Sequence, residues 1–99
     1  MAAGGSVTNS STGVIRAGSR GVYVDGGIGR VVNAGSITGG LVSPTSTIEL
    51  HVAGSSVTNS GIINGNVQFF GSNDIFSMTD GQMTGQLLMG SLGSETATF

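Results

Sequence analysis

Internal repetition constrains this chain more than any other feature. Ser6-Val7-Thr8-Asn9-Ser10 returns letter for letter as Ser56-Val57-Thr58-Asn59-Ser60, with Arg30-Val31-Val32-Asn33-Ala34-Gly35 between them as a looser copy. Met78-Thr79-Asp80-Gly81 reads as a fourth. With the apolar residue as the start of each unit, Val7, Val31, Val57, Met78 and Phe99 follow one another at intervals of 24, 26, 21 and 21 residues. Downstream, residues 35–41 line up with 61–67 and 81–87, Gly on Gly and apolar on apolar. The first unit joins after two extra residues, Ser11 and Thr12. A unit this short cannot bury an apolar face alone. It has the length of one coil of a β-solenoid, in which stacked neighbours bury that face together.

Within each unit the apolar residues keep a period of two. Val31, Ile37 and Leu41 share parity, as do Val57, Ile63 and Val67, and Met83, Leu87 and Met89. Period two places them on one face of a strand, the interior of a coil. Val22 and Val24 match Ile48 and Leu50 one unit further on, which marks a further strand in each rung. The expected fold is therefore all-β, a right-handed parallel β-helix (β-solenoid) of about four rungs, each roughly 21–26 residues long. Residues 1–99 form a single segment with units starting near 7, 31, 57 and 78. Val31, Ile37, Leu41, Ile48, Leu50, Val57, Ile63, Val67, Met83 and Leu87 should be buried, and Tyr23 and Glu49 exposed. Stacking turns repeats into ladders: Asn9, Asn33 and Asn59, with Asp80 in the same slot, should form a polar corner ladder. Gly35, Gly61 and Gly81 should release the backbone for the bend.

Composition supports strands and turns. Charged residues are 8% of the chain and Gly is 19 of 99 residues. No segment carries a helical apolar period, and no apolar run is long enough to span a bilayer. A net charge of −2 with three arginines and no lysine excludes a nucleic-acid partner, which requires a basic stripe. The chain lacks cysteine, as suits a protein that crosses an oxidising compartment unfolded, and equally a cytosolic one. No targeting segment is visible in the first residues.

Four groups invite a functional reading, and each has a plainer one. Arg16, Arg20, Asp25 and Arg30 lie in one rung and suggest a carbohydrate-active site of the polysaccharide-lyase kind. A second carboxylate to hold a metal is missing, so they read as solvated arginines, because fold alone does not license function. Gly71-Ser72-Asn73-Asp74-Ile75-Phe76 approximates the calcium nonapeptide G-G-x-G-x-D-x-U-x. Calcium sites of that kind need tandem copies, so Asp74 reads as a turn aspartate. Thr96-Ala97-Thr98 resembles one element of an ice-binding threonine array, but no other rung repeats it. His51 has no Asp or Ser constellation at recognisable spacing and reads as a surface or turn histidine. The expectation is no enzyme, with no catalytic, cofactor-binding or metal residues and no cofactor.

Residues 57–65 and 32–39, with the turn at 71–76, resemble the β-helix repeats of bacterial autotransporter passenger domains. The resemblance spans nearly the whole chain, from Val7 to Phe99, and lies in the style of the repeat. It implies a right-handed β-helix on the surface of a Gram-negative bacterium, or secreted from it. Such stalks serve adhesion, aggregation or the virulence-related display of an effector domain. It also implies a host-surface or self-association partner, and a membrane barrel and signal peptide that this sequence does not include.

The same repeat sets an expectation for the ends. Phe99 falls in the slot of Val7, Val31, Val57 and Met78, and neither end carries a capping helix or a charged, proline-bearing strand. Open coil edges leave backbone groups unpaired. The chain is therefore expected to be a fragment of a longer solenoid, flanked by further rungs, or to form end-to-end homo-oligomers through residues 87–99. A self-assembling filament subunit and a β-helix carbohydrate-active enzyme are the alternatives to an adhesive or scaffolding stalk.

Overall fold

The computed structural model describes residues 4–18, 20–39, 46–88 and 96–98. Short β-branched runs broken by Gly, Asn and Ser form thirteen short strands, and no helix occurs among the described residues. The first coil comprises β1 (Gly5–Asn9), β2 (Val14–Arg16) and β3 (Val22–Val24). The second comprises β4 (Gly29–Asn33), β5 (Ser36–Thr38) and β6 (Ile48–Leu50). The third holds β7 (Ser56–Asn59), β8 (Ile62–Asn64) and β9 (Val67–Phe69). Then come β10 (Ile75–Met78), β11 (Gln82–Met83) and β12 (Leu87–Leu88), and β13 (Thr96–Thr98) lies on β10.

Equivalent strands stack in parallel into three sheets. Sheet A runs β1-β4-β7-β10-β13, sheet B β2-β5-β8-β11 and sheet C β3-β6-β9-β12. The expected β-solenoid is the fold. Its core is a set of in-register apolar columns: Val7, Val31, Val57 and Phe76 in sheet A, and Ile15, Ile37, Ile63 and Met83 in sheet B. Sheet C contributes Val22, Ile48, Val67 and Leu87, with Val24, Leu50 and Phe69 beside them. Eleven of these side chains are buried, each worth about 1.5–3 kcal/mol of transfer free energy. Val7, Ile15, Met83 and Leu87 are only partly buried. For Met83 and Leu87 this falls short of the burial expected of them.

The register corrects the repeat in three places. Phe76, not Met78, pairs with Val57, and Met78 pairs with Asn59. The fourth unit thus starts at Phe76, and Ala97, not Phe99, takes the next register position. Asp80 is consequently outside the asparagine ladder, where Met78 takes the slot. Val67 stacks on Ile48 and not on Leu41, so the strands at 48–50 and 67–69 belong to one sheet. The mismatch has a simple origin: the corner between Thr38 and Ile48 spans positions 39–47, whereas that between Asn64 and Val67 spans only 65–66. Extra residues at a corner leave both flanking strands in register, and a sequence offset cannot see that. Leu41, Met89 and Phe99 lie outside the described residues.

The ladder itself is present. Nδ2 of Asn9 donates to Oδ1 of Asn33 at 2.9 Å, and Nδ2 of Asn33 to Oδ1 of Asn59 at 2.8 Å. These amides also bond the corner carbonyls of Gly35, Ser36, Gly61, Ile62 and Gln82. Asn59 ends the series on the sulfur of Met78 at 3.8 Å. None of the three asparagines has positive φ, nor do Gly35, Gly61 and Gly81. The residues are selected for reach and for size, not for left-handed backbone. A Cβ on Gly61 would strike the carbonyl of Gly35 in the coil below, and one on Gly35 that of Gly13. The corner lacks side chains so that successive coils can approach.

Candidate functional site

Side chains of three coils meet on the outer face of sheet C. The pairing of β3, β6 and β9 puts Tyr23, Glu49 and Gln68 in one outward row. His51 and Phe70 follow β6 and β9 immediately, and their N–H groups bond back to Val24 and Leu50 carbonyls, which keeps them stacked. Arg20 precedes β3, and the adjoining N–H groups of Gly21 and Val22 are anchored on the Thr47 carbonyl.

Glu49 is the centre of the group. The expectation that it is exposed is overturned: it points outward, yet it is 4% exposed. Nε of Arg20 lies 3.0 Å from its Oε1, and Nε2 of His51 donates to the same oxygen at 3.2 Å. The Ser46 N–H donates to Oε2 at 3.1 Å. Burial pushes the carboxyl's pKa up, but Ser46, Arg20 and His51 together outweigh it and hold the group below its ordinary range. Tyr23 is exposed, as expected.

Around this carboxylate lie three rings. His51 stacks on Phe70 with centroids 4.2 Å apart and planes 14° off parallel, and meets Tyr23 at 4.8 Å with a 46° tilt. The Arg20 guanidinium carbon sits 4.9 Å from the Tyr23 ring centre, a cation–π contact. Ser46 Oγ donates to Oε1 of Gln68 at 3.1 Å, so the amide nitrogen of Gln68 remains a donor. Phe70 is 48% exposed although His51 covers one face of its ring.

Of the four residues first grouped in one rung, only Arg20 joins this site. Arg16 and Arg30 lie exposed on other strands, and Asp25 is exposed and accepts the N–H of Gly26 in its own turn. His51, read as a surface or turn histidine, lies just past the end of β6 with its side chain partly exposed, and is tied to Glu49. The match of Val22 and Val24 to Ile48 and Leu50 already placed Tyr23 beside Glu49. Phe70 was hidden because the extra corner residues concealed the stacking of β9 on β6.

Asp74 is a different case. It is fully buried at the corner before β10, where Oδ1 accepts the Ser55 N–H at 2.9 Å. Ser55 Oγ in turn accepts the Gly29 N–H at 3.0 Å. Burial raises the Asp74 carboxyl above its usual range, against the opposing bonds from Ser55 and Gly54, and Oδ2 has no partner. The turn-aspartate reading describes it well. Among the described residues no group of three or more His, Asp or Glu side chains is placed to hold a metal ion. A groove of about 270 Å³ over the corner between sheets A and B is lined by Ser11, Val14, Gly35 and Ile62 among others, with no ionisable group.

No protein family, curated protein or solved structure gives a significant match to this chain. Among the described residues, the chain is a parallel β-solenoid that carries the Glu49-centred cluster on the outer face of sheet C.

Proposed function

We propose that this chain is a structural segment of a surface-displayed, autotransporter-like β-solenoid, a stalk with an adhesive role and not a catalyst. The observation that carries the reading is the axial continuity of the coils. Apolar columns and an amide ladder run through them parallel to one axis, so rigidity is built along the stack and side chains are left to decorate its flanks. In the ionisable cluster on sheet C both carboxylate oxygens of Glu49 already accept hydrogen bonds, an arrangement suited to holding a surface in place. Antibodies raised against the segment should label intact producing cells and lose that labelling after protease shaving. Labelling only after lysis would overturn the surface location.

A further inference from the structure

We infer that Met78 is a methionine oxidation site whose sulfoxide completes the asparagine ladder, giving Asn59 the oxygen acceptor it lacks along the stack. The inference is independent of the surface-stalk reading.

The three asparagines make the same set of bonds with one exception. Nδ2 of Asn9 reaches the carbonyls of Gly13 and Ser36 at 3.2 and 3.1 Å. Nδ2 of Asn33 reaches those of Gly35 and Ile62 at the same two distances. Nδ2 of Asn59 repeats them on Gly61 and Gln82. The bond along the stack is where they differ. Asn9 and Asn33 donate to an amide oxygen at 2.9 and 2.8 Å, whereas Asn59 meets the sulfur of Met78 at 3.8 Å. Register places Met78 directly on Asn59, so the sulfur stands where the next Oδ1 of the ladder would be. A thioether is a weak acceptor. The fully buried Asn59 therefore ends the ladder on its poorest bond.

Oxidation supplies the missing atom. With hydrogen peroxide as the oxidant, a sulfur lone pair attacks one peroxide oxygen. The O–O bond breaks, a sulfur–oxygen bond forms, and the other oxygen leaves as water. Sulfur loses two electrons and the peroxide gains them, and the product is the polar sulfoxide. With sulfur 3.8 Å from Nδ2, an oxygen bonded to it can sit at an ordinary N–H···O distance while the backbone stays in place. The unbranched side chain turns that oxygen toward Asn59 by rotating its own bonds. Met78 is also only partly buried, at the margin of the core, so a small oxidant has access to it. Sulfoxides ordinarily disrupt apolar packing. That is the outcome for Met83, which extends the isoleucine column of sheet B and would set its new oxygen against Ile63. At Met78 the new oxygen meets a waiting donor instead.

The test treats the folded, isotope-labelled full chain with dilute hydrogen peroxide and reads peptide masses and the Asn59 side-chain amide resonances. The peptide carrying Met78 should gain one oxygen, and the Asn59 Nδ2 protons should shift downfield. Met78→Leu keeps the apolar volume without the sulfur, and the same treatment should leave its Asn59 resonances in place. Oxidation should also raise the thermal midpoint of the parent relative to equally treated Met78→Leu by a few degrees, a comparison that cancels the other methionines. Met78→Gln carries an amide oxygen at similar reach and should shift Asn59 downfield with no peroxide. It keeps the test decisive if Met78→Leu does not fold. Met78 left unmodified by peroxide that fully oxidises the unfolded chain would overturn the inference. So would a Met78 sulfoxide that leaves Asn59 unshifted, or a parent midpoint that falls relative to Met78→Leu on oxidation.

Discussion

Asn33 donates from Nδ2 to Oδ1 of Asn59 at 2.8 Å, one coil further along, while its own Oδ1 accepts from Asn9. All three amides point into the structure, where water cannot replace a lost partner.

Asn33→Ala should therefore be costly. It removes the acceptor of Asn9 and the donor that satisfies Gly35 and Ile62 carbonyls. A loss of about 2–4 kcal/mol in a urea denaturation series is expected. A loss below about 0.5 kcal/mol would mean that the ladder contributes nothing net.

Neighbouring isoleucines separate inside from outside. Ile63 is fully buried and Ile62 is 41% exposed. Ile63→Ala should cost roughly 2–5 kcal/mol by leaving a cavity between Ile37 and Met83. Ile62→Ala should stay within about 0.5 kcal/mol. Equal effects would contradict the register of sheet B.

How much of this was legible in the sequence differs from residue to residue. Column membership of Val31, Ile37, Val57 and Ile63 followed from parity and repeat, because strands impose a period of two without regard to what lies at the corners. Corner lengths were not legible. The extra residues before Ile48 shifted one alignment, and the shorter third coil moved the fourth start from Met78 to Phe76. The burial of Glu49 was also beyond pattern, since its cover comes from Arg20 in the neighbouring coil as well as from the backbone of Ser46 beside it. Glycine was predicted at the right places for the wrong reason: close approach, not backbone freedom, excludes a Cβ there.

The two shifted carboxyls should pull stability in opposite directions with pH. Glu49 is held below its unfolded range, so its contribution is present above that range and is lost as pH falls through the native value. Asp74 is held above, so its contribution is complete below the ordinary carboxylate range and is lost as pH rises through the raised value. Denaturation midpoints measured from about pH 3 to about pH 8, a range that brackets the ordinary carboxylate values, should show Glu49→Gln reducing the acid-side loss. Asp74→Asn, which keeps an acceptor for the Ser55 N–H, should gain on the parent as pH rises. Parallel curves for parent and variants would refute both assignments.

Calcium should leave the thermal midpoint unchanged. Asp74 already accepts a backbone N–H, and the Gly71–Asp74 turn brings no second carboxylate to it among the described residues. A stabilisation that saturates with added calcium would require ligands that this turn lacks.

The identical pentapeptides beginning at Ser6 and Ser56 also shape how the chain can go astray. Native pairing joins β1 to β4 in the next coil, and β4 to β7 in the one after. Pairing β1 directly with β7 closes a loop about twice as long, which adds only roughly 0.6 kcal/mol of entropy cost. Such a mis-threaded chain would satisfy its local bonds, since Asn9 would find Asn59 much as Asn33 does. What it could not do is shelter the skipped coil, leaving Val31, Ile37, Ile48 and Leu50 looped out in water. Order along the stack is thus kept by the side chains that a wrong pairing strands, because only the native order returns the skipped coil's apolar groups to the interior.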